Sequence, residues 1–373
     1  MLLPRFVALS GFLGSGKTTT MLAAGRRLEQ DGRRVAVVTN DQAGDLVDTS
    51  RAARQTSAVG EVTGGCFCCR FNDLMEVTTR LLADGVDTII AESVGSCTDL
   101  HATIIRPLLT QQYELHVSPL TTVVDPARSV AFLRAMRSAR MTDLAYLFQR
   151  QLLDAEVIAI NKTDMYPQSF LDEARVAIEE MAPGKRVLMY SAETGDGLDN
   201  ILHSWQGQAT FGDHDLEVDY DRYATAEAQL AWGNTAFVVK AARPFVLADW
   251  VRAFLDDMSI QCDKRDYVIG HVKVLLSVNG TVVRGAVTDA GQTPSIVTDG
   301  TAVEADSAEI VVNARVSAPP VALDTLTRAA INQAALQTGV RCGEVSFASF
   351  QPGYPMPVHR ILATAPVLLP IDD

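Results

Sequence analysis

A glycine-rich segment near the start of the chain constrains the fold more than any other feature. It is Gly11-Phe-Leu-Gly-Ser-Gly-Lys17-Thr18, which fits the pattern Gly-x4-Gly-Lys-Ser/Thr. An apolar run precedes it, and a helical pattern over residues 17–30 follows it. Between a strand and a helix, backbone N–H groups can point inward around a phosphate, and the helix adds its positive dipole end. The segment therefore predicts a phosphate-binding loop.

The residues of this loop have separate predicted roles. Glycine lets the backbone approach a phosphate that a side chain would obstruct. Lys17 is expected to reach the β- and γ-phosphates of a nucleotide, and the Thr18 hydroxyl to bind Mg²⁺. The predicted phosphate-binding residues are Gly11, Gly14, Ser15, Gly16, Lys17, Thr18 and Thr19.

A second motif, Asn161-Lys162-Thr163-Asp164, stands where a later apolar run ends. The Asp164 carboxylate can accept hydrogen bonds from guanine N1–H and from the 2-amino group, a donor pair that adenine lacks. The Lys162 stem would cover one face of the base, and a following Ser-Ala loop can offer a backbone N–H to guanine O6. The motif predicts GTP or GDP as the ligand. The predicted base-binding residues are Asn161, Lys162, Asp164, Ser191 and Ala192.

The spacing of apolar residues predicts two domains. Over residues 1–207, short β-rich runs alternate with helical stretches, which predicts an α/β fold: a mostly parallel sheet with helices on both faces. Residues 208–232 are acidic and show no clear helical or strand periodicity, so they are expected to form a linker. Residues 233–373 predict a smaller α+β domain, similar to a ferredoxin-like split βαβ with an added strand. A hairpin turn is expected there at Asn279-Gly280.

Composition and charge exclude several classes of protein. The 373 residues carry a net charge of −13 with no Lys/Arg run, so neither a nucleic acid nor a membrane is an expected partner. No apolar stretch approaches the roughly 18 residues of a membrane span, and the first residues lack the features of a secretory signal. Six cysteines, three of them clustered, indicate metal or redox chemistry in a reducing compartment. We expect a cytoplasmic protein.

Acidic residues near the phosphates are candidates for organising Mg²⁺ and water. Glu92 ends an apolar run and begins Glu92-Ser-Val-Gly95, in which Gly95 can offer its N–H to the γ-phosphate. Asp48, in the loop after the second strand, is predicted to position a Mg²⁺-bound water or the nucleophile. A surface acid on a loop is the alternative for Glu92. The predicted catalytic residues are Lys17, Asp48 and Glu92, and the predicted Mg²⁺ ligands are Thr18 and Glu92.

Three thiols follow a pair of glycines in Gly64-Gly65-Cys66-Phe67-Cys68-Cys69. Three adjacent thiolates repel one another unless a cation compensates them, and soft sulfur ligands suit Zn²⁺, Co²⁺ or Cu⁺. The chain lacks the two separated Cys-x2-Cys pairs of a structural zinc site. Three ligands leave a coordination position open, as suits a metal that is transferred, and Cys97 is a candidate fourth ligand. Small buried thiols, or a disulfide between Cys68 and Cys69, are the alternatives.

In this order, the phosphate loop, the Gly-Gly-Cys-x-Cys-Cys loop, Glu-x-x-Gly and Asn-Lys-x-Asp resemble the CobW-type metallochaperone GTPases of the SIMIBI class. The resemblance covers residues 5–205 and implies a GTP-dependent factor that inserts metal into a client protein or assembles its cofactor. By motif match, Cys66, Cys68 and Cys69 take the family's metal role. The family's usual Asn-Glu-Phe-Gly is replaced here by Asn40-Asp-Gln-Ala.

We therefore expect a GTPase, slow without a partner, that couples nucleotide state to the binding of Zn²⁺ or Co²⁺ and delivers the metal to a client metalloenzyme. One alternative is a GTPase chaperone of a corrinoid or other metallo-cofactor enzyme, in which the thiolates sense metal and do not donate it. Another is a P-loop kinase, which the guanine motif disfavours. The protein is expected to act as a monomer or as a homodimer that depends on nucleotide or metal.

Overall fold

The computed structural model describes residues 3–40, 58–111, 113–137, 142–212, 215–345 and 348–363. Contacts divide these residues into two compact units. The first unit contains the described residues up to Tyr223 together with residues 354–363, and the second is Ala224–Gly353.

The first unit is built on one parallel sheet. Its strands pair in the order β3-β2-β4-β1-β6-β7-β8, with β5 beside β1, and all the recorded pairings are parallel. The strands are β1 (Arg5–Ser10), β2 (Val35–Asn40), β3 (Ala58–Val62), β4 (Thr88–Glu92), β5 (His116–Val117), β6 (Thr121–Val124), β7 (Val157–Ile160) and β8 (Arg186–Met189).

Helices connect these strands and cover the sheet. Every residue of β2, β4, β6 and β7 is buried, which is why these strands appear in the sequence as continuous apolar runs. A π-helical turn, His101–Ile105, leads into the third helix. The helices are α1 (Lys17–Gln30), α2 (Phe71–Ala83), α3 (Arg106–Thr110), α4 (Pro126–Arg137), α5 (Asp143–Asp154), α6 (Gln168–Met181), α7 (Leu198–Ser204) and α8 (Tyr220–Ala228).

The order of the strands places the loops at the carboxyl edge of the sheet in a row. The cysteine loop follows β3, Glu92 ends β4, the glycine-rich loop follows β1, and Asn161 follows β7. In the sheet, β2 and β4 lie between β3, which the cysteine loop follows, and β1, which the glycine-rich loop follows. The phosphate loop therefore lies between the thiols and the guanine motif.

The second unit is an antiparallel sheet in the order β12-β11-β10-β13-β9-β14, with β15 beside β9. Four of its strands, β14-β9-β13-β10, have the split βαβ order, and β11 and β12 extend the sheet beyond β10. The predicted α+β architecture is thus confirmed. The elements are β9 (Ala231–Val246), α9 (Leu247–Asp263), β10 (Ile269–Val278), β11 (Thr281–Val287), β12 (Ser295–Asp299), β13 (Glu304–Val316), α10 (Pro320–Thr338), β14 (Val340–Cys342) and β15 (Ala348–Phe350).

The core of the second unit lies between the sheet and its two helices, α9 and α10. Trp250 and Phe254 of α9 stack on each other and are fully buried in one cluster with strand residues such as Val274 and Ile310. The predicted hairpin turn is confirmed, since Asn279 and Gly280 both have positive φ angles and Val278 pairs with Thr281. Gly339, with φ of 70°, ends α10.

Two segments differ from the predicted division of the chain. The expected linker, residues 208–232, contains helix α8 and the first residues of β9. Tyr223, Ala226 and Leu230 are buried at spacings of three and four residues, a helical pattern that the surrounding acids obscured. Residues 354–363 group with the first unit rather than with the second, because hydrogen bonds tie them to loops of the parallel sheet.

Candidate nucleotide and thiol site

The loop between β1 and α1 forms a cradle with no room for side chains at its tight positions. Gly11 and Gly16 have φ angles of 137° and 97°, which favour glycine. A Cβ at Gly11 would lie 2.1 Å from the Val123 carbonyl oxygen, and one at Gly16 would lie 2.3 Å from Nδ2 of Asn161. Gly16 stands directly before α1, and no side-chain cap hydrogen bond is made at this position. The amino end of a helix favours an anion through its dipole. The cradle thus fits a phosphate group.

Lys17 and Thr18 are buried at the start of α1. Lys17 Nζ donates to the carbonyl oxygens of Gly11 (2.6 Å) and Phe12 (3.3 Å), which holds the ammonium group inside the loop. Thr18 Oγ1 donates to both carboxylate oxygens of Glu92, at 2.9 and 3.1 Å. The fold therefore brings together the two predicted Mg²⁺ ligands, a hydroxyl and a carboxylate, which are oxygen ligands of the kind that this ion takes.

Asn161 connects the phosphate loop to the loop after β8. Its Nδ2 donates to the Ser15 carbonyl oxygen at 3.1 Å, and its Oδ1 accepts from the Ala192 N–H at 3.0 Å. Asn161 is 2% exposed, so both bonds are shielded from water. The Ser191 hydroxyl oxygen accepts hydrogen bonds from the N–H groups of Glu193 and Thr194, two and three residues later in the chain. Asn161 and Ser191 thus fix the shape of both loops.

Lys162 and Asp164 follow in the same motif but have different surroundings. Lys162 has a φ of 62°, and its Nζ donates to the Gly14 carbonyl oxygen (2.8 Å) and to Oδ2 of Asp125 (2.7 Å). This places the Lys162 stem alongside the phosphate loop. Asp164 is exposed, in a short 3₁₀ turn. Its carboxylate is therefore accessible to a base.

The Asp125–Lys162 ion pair was not foreseen from the sequence. Asp125 follows β6, is 5% exposed and also accepts from the Arg128 N–H through Oδ1, at 3.2 Å. The same carboxylate therefore caps helix α4 and orients the Lys162 side chain. Its position directly after an apolar strand was the only sequence signal of this role.

The segment after β4 packs against the phosphate loop. A Cβ at Gly95 would lie 2.6 Å from Leu13 Cδ2 and 3.0 Å from the Leu13 nitrogen. Buried Gln151 of α5 holds this segment by donating to the carbonyl oxygens of Gly95 (3.0 Å) and Cys97 (2.8 Å). Gln151 gave no sequence signal, because nothing local links a helix glutamine to a loop more than fifty residues earlier.

The three thiols of the cysteine loop lie together. The Cys66 Sγ is 2.8 Å from that of Cys68 and 3.1 Å from that of Cys69, and the Cys68 and Cys69 sulfurs are 3.8 Å apart. All six cysteines are free thiols. In a tetrahedral zinc site with Zn–S bonds of about 2.3 Å, neighbouring sulfurs lie about 3.8 Å apart. A bound metal would therefore require Cys66 to move by less than about 1 Å from its neighbours.

Hydrogen bonds among these thiols make them chemically unequal. Bonds from Cys68, Cys69 and Cys97 to Cys66 lower the pKa of the Cys66 thiol well below its ordinary value. The hydrogen bond between Cys68 and Cys66, together with burial, raises the pKa of the Cys68 thiol. Cys69 is half-buried, and its hydrogen bond to Cys66 is the main cause that raises its pKa to about 11. Cys66 is therefore the thiol that loses its proton first.

Two residues connect the thiols to neighbouring strand ends. Cys97 is fully buried, and its thiol contributes to lowering the pKa of Cys66 and to raising the pKa of Cys68. Asn40, the last residue of β2, donates to the carbonyl oxygens of Val62 (3.0 Å) and Gly65 (2.8 Å) and accepts from the Phe67 N–H (2.9 Å). The cysteine loop is thus attached to β2 by Asn40 and to the segment after β4 by Cys97.

The predicted catalytic residue Asp48 lies outside the described residues. Of the other predicted positions, Lys17, Thr18, Glu92 and Gly95 surround the phosphate loop. Asn161, Lys162, Ser191 and Ala192 line its other side. The three cysteines form a separate group beyond Glu92, at the end of β3.

This arrangement defines the class of the protein. A glycine cradle between the first parallel strand and a helix, with a buried lysine and threonine at its end, is the phosphate site of a P-loop nucleotide-binding protein. Residues 5–189 match the model of the CobW/HypB/UreG nucleotide-binding domain, so this part of the chain is a domain of that family.

Three curated relatives are similar to the chain. A Zinc chaperone CobW from Sinorhizobium sp is 29% identical over 224 residues, which is 52% of this chain and 60% of the relative. The Zinc-regulated GTPase metalloprotein activator 1 of Dictyostelium discoideum is 27% identical over 274 residues, 64% of this chain and 56% of that protein. The Zinc chaperone YjiA of Escherichia coli is 26% identical over 198 residues, 50% and 57% of the two chains. The chain therefore spans less than two thirds of the length of each.

Within the described ranges, none of the helices has both the length and the apolar character that a membrane crossing demands.

Proposed function

We propose that this protein is a GTP-binding and GTP-hydrolysing metallochaperone that couples its nucleotide state to the binding of a transition metal, which it delivers to a client protein. Zinc is the favoured metal, because curated relatives carry zinc in their names. The single observation that carries the metal part is the group of three sulfur atoms within 4.8 Å of one another, at the edge of the sheet that holds the phosphate loop.

In this proposal the nucleotide is held by the residues already described. The phosphates take the place in the cradle that Lys17 now faces, and Lys17 exchanges its carbonyl partners for phosphate oxygens. Thr18 and Glu92 would hold Mg²⁺, directly or through its bound waters, and the ion would supply positive charge beside the phosphates. Asp164 accepts from the guanine edge, and Asp48 is the proposed positioning residue for water.

Coupling between the two sites follows from the contacts between neighbouring strand ends. Thr18 is bonded to Glu92, and Cys97, five residues further along the same segment, influences the pKa values of Cys66 and Cys68. If bound GTP and Mg²⁺ attract Glu92 or Gly95, the segment after β4 moves, and Cys97 then changes its position relative to the other thiols. By thermodynamic linkage, the factor by which nucleotide changes the affinity for metal equals the factor by which metal changes the affinity for nucleotide.

We expect Co²⁺ or Zn²⁺ to bind more tightly when the protein carries Mg·GTP than when it carries GDP, by about tenfold or more, which is the size typical of linked sites. Tetrahedral thiolate ligation of Co²⁺ gives charge-transfer and d–d absorption that reports the site directly. The measurement is a Co²⁺ titration followed by absorption, and then by Zn²⁺ displacement, with GTP, GDP and no nucleotide.

The control for this titration is Cys262→Ser, which removes a buried thiol of the second unit and leaves the cluster intact. Replacing Cys66, Cys68 and Cys69 together by serine is expected to abolish the absorption. Equal affinities and spectra in the three nucleotide states would contradict the coupling. The lack of any thiolate band in the unaltered protein would contradict the metal site.

Cys97 is the proposed fourth ligand, because it is a buried thiol that influences the pKa values of two members of the cluster. Cys97→Ser is expected to weaken Co²⁺ binding by about tenfold and to reduce the charge-transfer intensity by roughly a quarter, since one of four sulfur ligands is lost. An unchanged spectrum in this variant would show that the fourth ligand is another group. Cys342→Ser, which removes a partly exposed thiol of the second unit, is the matched control.

A further inference from the structure

Residues 354–363 lie across the thiol cluster although they are almost 290 residues away from it in the sequence. The Met356 N–H donates to Cys69 Sγ at 3.3 Å, and the Val358 N–H donates to the Cys68 carbonyl oxygen at 2.8 Å. The Ile361 N–H donates to the carbonyl oxygen of Ala102 at 2.9 Å. The 354–363 segment thus contacts both the cysteine loop and the segment that follows Cys97.

The composition of the 354–363 segment explains how it binds without helix or strand structure. Pro355 and Pro357 have no N–H and favour an extended backbone, which leaves Met356 and Val358 as the donors between and after them. Both donors are used on the cysteine loop. The His359 ring packs edge-on against Phe71, the first residue of α2, with 5.0 Å between ring centroids.

A charged contact fixes the segment at its centre. Arg360 Nε donates to Oδ2 of Asp99 at 2.7 Å, and the Tyr220 hydroxyl donates to the same oxygen at 2.8 Å. Asp99 is 1% exposed and stands two residues after Cys97. Burial raises the pKa of Asp99, whereas the hydrogen bonds from Arg360 and Tyr220 act to lower it. These two bonds therefore stabilise the charged form of the carboxylate. Arg360 is therefore the countercharge of a buried carboxylate beside the thiols.

We propose that the 354–363 segment covers the thiol cluster and occupies, within the same chain, the docking surface for the client. The client presents an extended peptide with a basic side chain. A metal acceptor must place its own ligand within about 2.3 Å of the bound ion, and the segment lies on Cys69, the half-exposed member of the cluster. The surface beneath offers the Cys68 and Ala102 carbonyl oxygens and the Asp99 carboxylate, which suit N–H donors and a cation.

This inference rests on the proposed function for the role of the client, but the cover itself can be tested without metal. In the metal-free protein of residues 1–373, we expect Arg360→Ala to accelerate alkylation of Cys69 by iodoacetamide about tenfold, since one hydrogen bond to a buried charge is lost. Mass spectrometry of the peptides gives the rate at each cysteine. The control is Arg134→Ala, which removes an exposed ion pair with Glu173 elsewhere in the same unit and should leave the rate unchanged.

A second measurement tests the docking surface. A labelled peptide with the sequence of residues 354–363 is expected to bind the Arg360→Ala variant of residues 1–373 in fluorescence anisotropy. The unaltered protein, whose own segment fills the surface, is expected to bind it at least tenfold more weakly. The same peptide with alanine in place of its arginine should not bind. Asp99→Asn, which keeps an acceptor for Tyr220 and tolerates the φ of 60°, should also accelerate alkylation but should not bind the peptide.

The outcomes separate the two ideas. Unchanged alkylation in both folded variants, as judged by circular dichroism, would overturn the cover. Faster alkylation without peptide binding by Arg360→Ala would overturn the docking surface. Faster alkylation with peptide binding, in a protein that takes up neither Co²⁺ nor Zn²⁺, would support the surface and reject the metallochaperone function.

Discussion

Lys17→Ala is expected to abolish GTP hydrolysis, reducing the rate by about 10²-fold or more, and to weaken triphosphate binding strongly. In the proposed nucleotide site, the buried ammonium group of Lys17 is the direct countercharge of the β- and γ-phosphates. A donor aimed at developing charge in a water-excluded site contributes a factor of this size. Lys17 is buried and already faces into the cradle. Phosphate release and isothermal titration with Mg·GTP measure the two effects.

The matched control is Lys185→Ala. Lys185 Nζ also donates to a backbone carbonyl oxygen, that of Ala155 at 2.7 Å, but it lies before β8, at the opposite edge of the sheet. This variant should keep both nucleotide affinity and turnover. If Lys17→Ala, folded as judged by its thermal unfolding, turned over GTP at the original rate, the assignment of the phosphate loop would be wrong.

Asp164→Ala is expected to remove most of the preference for GTP over ATP. The Asp164 carboxylate is exposed next to the loop that Asn161 and Ser191 hold in place, so it can pair with the two donors of the guanine edge. Loss of two hydrogen bonds to a charged acceptor costs about 3 kcal/mol, which is more than a hundredfold in affinity. Calorimetric titration with GTP and ATP measures the preference in both proteins.

Asp172→Ala is the control for this experiment, because Asp172 is an exposed aspartate on the next helix, α6, bonded to Gln168 within that helix. Its removal should leave the GTP preference intact. Equal affinities of the unaltered protein for GTP and ATP would refute the role of the Asn-Lys-x-Asp motif altogether.

Much of the fold could be predicted because its signals are local. Helix α1 has the predicted bounds, residues 17–30, and the predicted alternation of strands and helices is present in the first unit. Buried parallel strands are continuous apolar runs, and the Gly-x4-Gly-Lys-Thr pattern encodes its own backbone conformation through glycine. Strand β3 does not appear in the sequence as an apolar run, because it includes Gly60 and the exposed Glu61.

For the candidate site, the sequence predicted the residues of each separate loop but not the contacts between the loops. The motifs predicted roles for the three thiols, for Lys17 and for Asp164, since each predicted role depends on side-chain chemistry within a few neighbouring residues. Asn40, Gln151 and the Asp125–Lys162 pair could not be found in this way. Each of them joins loops that are distant in the sequence, and a buried amide or carboxylate has no periodic signature.

The sequence by itself therefore determined which loops carry chemistry, and only the tertiary structure decided which of them are neighbours. The strands follow the order β3-β2-β4-β1-β6-β7-β8, so spatial adjacency does not follow chain order. Crossover connections place the thiols of the β3 loop beside Cys97 of the β4 loop. In the same way the 354–363 segment reaches Asp99 after a whole second unit has been built. The conformational preferences of the backbone are set within a few neighbouring residues, so the sequence shows them directly. Hydrogen bonds between buried polar groups can join residues at any separation in the sequence, so they become visible only in the folded structure.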